Sequence, residues 1–241
     1  GFLSPRTKNI KTNQNGLDLE MILQEKVSKE FLESNDRREG PIFKGDESIL
    51  RMTGMGSEIM KFEHIALSRM VNDKWAQKGK AFATISLDAF EKLQKAYIDY
   101  ADQIRDGKHS SFRGSNISIN LPSNTNFSKK FIEYEFLLIA MNGTHALRPH
   151  NRIYYWNAFS RKFEPIYYDG NLLPHDNLSD GFIRYGDAVV LLSQINKIDI
   201  NKIQNDIKFF IDEDFVLNFS DLSGRSKEYS LKYTSIAKEK I

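Results

Sequence analysis

From Phe131 to Asp169 the chain runs through an apolar segment, a polar loop and two aromatic stretches separated by a short polar interval, and that order leaves few folds open. Phe131 to Met141, FIEYEFLLIAM, is apolar enough to be a buried helix. From Arg152 to Trp156 aromatic and aliphatic residues alternate as in a strand, and Phe163 to Tyr168 supplies a second strand. With Asn157 to Lys162 as the turn, the two strands run antiparallel and return the chain to its starting level. His150-Asn151 at the entrance and Asp169-Gly170 at the exit then share the mouth of one hairpin. Asn151 and Asp169 bring two oxygen-bearing side chains within reach of a single cation, as a metal-phosphate site requires. The stretch from Asn142 to Asn171 is thus the centre of the chain, and the remainder reads as scaffold around it.

Composition narrows the chemistry. A chain of 241 residues, 40% hydrophobic and 12% aromatic, can bury a substantial core as one large domain or two lobes. Its 34 Lys plus Arg against 32 Asp plus Glu leave a net charge of +2, too weak a field to point to nucleic acid or an anionic membrane. No apolar run approaches the length of about 18 residues that a membrane span needs, so no transmembrane segment is expected. The first residue is Gly rather than Met, which is compatible with an upstream domain or a removed leader. The lack of cysteine excludes thiolate catalysis, disulfides and cysteine metal sites and leaves the compartment open.

Taken in order, residues 1–16 read as a polar arm or irregular lead-in. Leu19, Ile22, Leu23, Val27, Phe31 and Leu32 fall at helical steps and predict an amphipathic helix over Leu17 to Glu33. Pro41 to Lys44 is a short strand stopped by Gly45-Asp46. After the Gly54-Met-Gly56 break, Ser57 caps a predicted helix reaching about Gln77. A third helix opens at Ser86 with Leu87, Phe90, Leu93, Tyr97, Tyr100 and Ile104 on one face, and ends at Gly107. The Ser- and Asn-rich residues 108–126 are the expected connection between an N-terminal lobe, 1–107, and a C-terminal lobe, 127–241. Beyond Asp169, an irregular loop to Gly186 has the placement of a lid, and helical spacing resumes from Ala188 to Ile211.

Several chemistries lack their residues. There is no G-x-S-x-G elbow for a serine nucleophile, no G-x-x-x-x-G-K-[ST] phosphate loop and no G-x-G-x-x-G fingerprint. His145 and His150 are five apart in a Pro-containing loop, which is not the same-face pairing of a helical zinc site. Phosphoryl transfer in kinase-like folds uses a lysine on an early strand, an acidic helix partner, an Asn in a catalytic loop and an Asp after a hairpin. Lys44, Glu58 or Glu63, Asn151 and Asp169 occur here in that order. Each also has a plain reading, Lys44 as a solvated strand-end lysine and the two glutamates as helix surface.

The pattern His150-Asn151, aromatic strand, short turn, then Phe163 through Asp169 (FEPIYYD) resembles the CotH-type atypical kinases of the spore coat over roughly residues 127–171. That resemblance implies an α+β, two-lobed atypical protein-kinase-like fold. It implies Asn151 and Asp169 as ligands of Mg2+ or Mn2+, Lys44 as the ATP-phosphate lysine, and a protein or glycan hydroxyl as acceptor, with no nucleic acid partner. The loop departs from the family in having no Asp upstream of Asn151. Asn142, His145 and His150 stand there instead, and His145 is the candidate base. Two other classes stay open: a nucleotide-binding pseudokinase acting as an interaction module, and an HNH-like nuclease. The nuclease ranks lower because the one later histidine, His175, follows Pro174 rather than sitting on a helix after the hairpin.

Overall fold

The computed structural model describes residues 2–46, 68–105, 127–128, 130–141, 143–147, 149–170 and scattered positions between 216 and 235. Its first element is a ribbon. Strand β1 (Thr7–Gln14) pairs antiparallel with β2 (Leu17–Gln24) along the whole length of both. Asn15 and Gly16 join them at φ 55° and 84°, the two left-handed residues of a turn whose twist matches that of paired strands. This corrects both the irregular lead-in and the helix expected over Leu17 to Glu33. The apolar residues satisfy two periods at once, since Leu17, Leu19, Met21 and Leu23 also alternate, and the Asn-Gly turn with strand pairing decides between them. Only Lys29–Ser34 is helical (α1), and it buries Phe31 and Leu32.

Strand β3 (Ile42–Gly45) falls within a residue of its expected position. Strand β4 (Ser68–Met70) and the one-turn helix α2 (Asp73–Ala76) occupy the end of the region where one helix from Ser57 to Gln77 was expected. The earlier part of that region lies outside the described residues. Asn72 explains the break between them: its Oδ1 accepts from the Ile42 N–H at 2.8 Å and its Nδ2 donates to the Gly40 carbonyl at 2.9 Å. The side-chain amide thus imitates a further strand residue while the chain turns away. Helix α3 (Lys80–Arg105) begins before Ser86, whose Oγ donates to the Phe82 carbonyl one turn back, so Ser86 is interior to the helix and not its cap. Leu87 is exposed, and the buried stripe is Ala89, Leu93, Ala96 and Tyr97.

Helix α4 (Lys130–Ala140) follows, as its apolar sequence predicts. Strands β5 (Ile153–Asn157) and β6 (Lys162–Ile166) form the expected antiparallel hairpin, although β6 ends before Tyr167 and Tyr168. The sheet order is β4-β3-β5-β6, antiparallel throughout. Pro165 is tolerated because β6 is an edge strand, met on its outer side by single bridges from Leu3 to Ile166 and from Phe127 to Phe163, neither of which needs a Pro165 N–H. One face of the sheet packs Phe43, Tyr154, Trp156 and Phe163 against α3 together with Phe127 and Phe131. The other packs Ile42, Ile153, Tyr155 and Ile166 against Leu3 and α1. Because both faces are covered, β5 and β6 read as aromatic runs rather than as strict alternation.

The architecture is therefore mixed α+β. The boundary expected at 108–126 lies outside the described residues, and strands from either side of it, β3 and β5, pair within one sheet. The loop expected over 171–186 and the helical run from Ala188 to Ile211 also lie outside the described residues.

Candidate functional site

The loop between α4 and β5 is built from backbone hydrogen bonds. The Gly143 N–H reaches back to the Leu138 carbonyl at 2.6 Å and ends the helix. Two 3-10 turns follow, Thr144–Leu147 and Pro149–Asn151. Arg152 fastens the far end: its Nε donates to the Leu147 carbonyl at 2.9 Å, and its Nη1 lies 3.0 Å from Glu135 Oε1 on α4. Both side chains of this ion pair are 2% exposed. Burial pushes the Glu135 carboxyl up to about 7, against the pull of the Arg152 charge. The Arg152 carbonyl in turn accepts from the Gly45 N–H at 3.0 Å, tying the loop to the end of β3.

Within this frame His145 touches both Asn151 and Asp169, the first through its backbone carbonyl and the second through its ring. Asn151 is buried, and its Nδ2 donates to the His145 carbonyl at 3.0 Å, which leaves the amide oxygen as the end that a cation would take. His145 Nε2 lies 3.2 Å from Asp169 Oδ2, with 39% of the imidazole and 49% of the carboxylate side chain exposed, so the pair is open to a ligand. Asp169 is not carried by the strand itself. The chain leaves β6 after Ile166, Tyr167 N–H bonds the Leu3 carbonyl, and Asp169 stands at φ 48°. A Cβ on Gly170 beside it would come within 2.6 Å of the Tyr167 ring, so a side chain there would displace that ring.

Lys44 approaches from β3, where its strand neighbours are Ile153 and Arg69. Its Nζ lies 5.6 Å from the centroid of the Tyr168 ring, and Tyr168 immediately precedes Asp169. Among the described residues this cationic head faces an aromatic surface rather than a carboxylate. Glu58 and Glu63, the expected partners of Lys44, lie outside the described residues. Tyr168, Arg152 and Glu135 were not singled out in the sequence, although charged residues inside FIEYEFLLIA and beside IYYW are the signal that marks the last two.

Mg2+ and a triphosphate make a modest demand on such a site. Among the described residues no group of three His, Asp or Glu side chains gathers to hold a metal by itself. A cation that arrives with phosphate oxygens and water needs only about one or two carboxylates from the protein, and Asp169 and the Asn151 amide oxygen are donors of that chemistry. Lys44 carries a positive charge of the kind that pairs with phosphate oxygens. Among the described residues no helix is long and apolar enough to cross a membrane. No protein-family model matches the chain, and no curated protein matches its sequence.

Proposed function

We propose that this chain is a CotH-like atypical kinase, moving a phosphoryl group from ATP to a hydroxyl of a protein or glycan with Mg2+ or Mn2+. The observation that carries the reading is that one residue, His145, contacts both others, the Asn151 amide through its backbone carbonyl and the Asp169 carboxylate through its imidazole. Lys44 is one residue removed, over Tyr168. The two-lobed kinase-like fold belongs to the same proposal, and the order β3 with Lys44, α4, loop with Asn151, hairpin and Asp169 supports it.

Bound magnesium or manganese would neutralise charge on the triphosphate and its transferring group. Asp169 and the Asn151 oxygen would hold it, and Lys44 would orient phosphate oxygens. With Nε2 donating to Asp169, the basic nitrogen of His145 is Nδ1, which accepts the proton of the acceptor hydroxyl as its oxygen bonds to phosphorus and ADP departs. Because phosphoryl transfer depends mainly on positioning and charge stabilisation, a histidine in place of the usual aspartate slows the reaction without abolishing it.

ATP with either metal should raise the melting temperature, Asp169→Ala should remove the metal-dependent part, and Asn151→Ala should weaken it. With labelled ATP and a mixture of protein and glycan acceptors, label should transfer, and Lys44→Ala and Asp169→Ala should each stop it. An unchanged melting curve at millimolar nucleotide and metal defeats the reading. The missing loop Asp favours one alternative, a pseudokinase that binds nucleotide and serves as an interaction module. Binding without transfer under either metal selects it, and loss of transfer with intact binding in His145→Ala assigns the proton to that residue.

A further inference from the structure

We infer that Arg152 and Glu135 are positioning residues, a buried clamp that sets the loop bearing His145 and Asn151; its effect on turnover rests on the phosphotransferase reading above. Arg152 joins three elements through one side chain and one carbonyl: α4 through Glu135, the Thr144–Leu147 turn through the Leu147 carbonyl, and β3 through Gly45. The Leu147 carbonyl ends a single 3-10 turn, and the guanidinium gives it a donor inside the core, where Leu147 is fully buried. Asn151 is the residue before Arg152, and its own side chain holds the His145 carbonyl. Fixing Arg152 therefore fixes both ends of the His145 to Asn151 segment, while the bond to Gly45 registers it against the strand of Lys44.

A buried ion pair is a poor way to gain stability, because two apolar side chains of similar volume fill the same space without desolvating charge. What the apolar pair cannot do is hold a carbonyl at a fixed direction. A lysine at 152 could answer Glu135 but has no planar fork to reach Leu147 at the same time. Those two differences separate a clamp from a filler.

The double variant Arg152→Met with Glu135→Leu makes the test, read by melting temperature, by amide exchange across 143–151, and by steady-state kinetics with ATP and Mg2+. The expected result is a melting temperature at or above that of the unaltered protein, faster exchange at Ala146 and the Asn151 side-chain amide, and kcat lower by about tenfold or more together with a raised KM for ATP, since Asn151 is displaced with the loop. Glu135→Gln, which keeps an acceptor for Nη1, should restore slow exchange and most of kcat, whereas Arg152→Lys should behave as the double variant does. Unchanged loop exchange in a folded double variant, or in Arg152→Lys should the double variant not fold, overturns the clamp. Altered exchange with unchanged kcat overturns its catalytic role. If the unaltered protein transfers no phosphoryl group, the functional reading fails, and the exchange data alone decide whether Arg152 holds the loop.

Discussion

The ribbons β1–β2 and β5–β6 are both antiparallel, both turn through residues of positive φ, and both have at the open end an arginine paired with a glutamate, Glu25 of the ribbon itself in one and Glu135 of α4 in the other, yet one stands in solvent and the other in the core. At the first, Arg6 and Glu25 pair at 2.5 Å with the Arg6 side chain 74% exposed. At the second, Arg152 and Glu135 pair at 3.0 Å with both side chains 2% exposed. The same local devices thus act in opposite dielectric settings. Arg6 holds the Glu25 carboxyl below its ordinary range by hydrogen bonding, whereas burial lifts Glu135 above it. A turn and a salt bridge define a hairpin, and what packs on its faces decides what either is worth.

The largest expected contrast is in packing. Phe163→Ala removes a fully buried ring that touches Phe43, Phe127, Tyr154 and Trp156, and should cost about 3–5 kcal/mol in chemical denaturation. Met21→Ala on β2, where the side chain is half exposed, should fall within about 0.5 kcal/mol. A Met21 value approaching that of Phe163 would break the comparison.

Acid sharpens it next. Glu135 has a folded pKa, about 7, above its unfolded value, so between roughly pH 4.5 and 7 the folded state binds more protons than the unfolded one. Stability therefore falls as pH rises through that window, by up to about 3 kcal/mol, and Glu135→Gln should flatten the profile. Glu25 has the opposite sign: its contribution is present above the unfolded carboxylate pKa and is lost as pH falls through the lower folded value. Amide exchange should show β1–β2 loosening only in that more acidic range, and loosening between pH 7 and 5 would contradict the assignment.

Smaller effects belong to the turns. Gly16→Ala places a Cβ at φ 84° in open space, so its penalty of about 1–2 kcal/mol comes from the backbone alone and should speed exchange in β1–β2 without moving the global melt. Arg161→Gly in the buried ribbon relieves φ 53° and gives up part of the gain to chain entropy, for a net stabilisation under about 1 kcal/mol. A global shift in the first, or destabilisation in the second, would reverse the roles assigned to the two turns.

The contrast also explains what could be read beforehand. Helix α4 and the hairpin from Ile153 to Ile166 were legible because burial of their faces demands sequence dense in large apolar and aromatic residues, which few other contexts do. The exposed ribbon was misread because no core enforces its period, so its leucines fitted a helix as well as a strand, and the signal that decided, Asn15-Gly16, is two residues long. Of the candidate site, Asn151 and Asp169 stand out in the sequence at the mouth of a hairpin, and His145 only as what the loop offers where the kinases it resembles have an Asp. That the imidazole of His145 pairs with Asp169 while its carbonyl takes Asn151 depends on the two 3-10 turns, whose register no periodicity encodes. The clamp was hidden for a similar reason, since Glu135 and Arg152 are 17 residues apart and only the return of the chain over α4 joins them.

Asp169 at φ 48° has a consequence for anyone who evolves or engineers this protein. Its backbone stands where glycine rests without strain, and Gly170 follows directly. A library sorted by heat resistance alone would enrich Asp169→Gly, and the survivors would melt later while lacking the carboxylate that faces His145. If Asp169 has the role proposed for it, selection for heat resistance and selection for that function pull this codon in opposite directions, and only a sort that scores both will keep the aspartate.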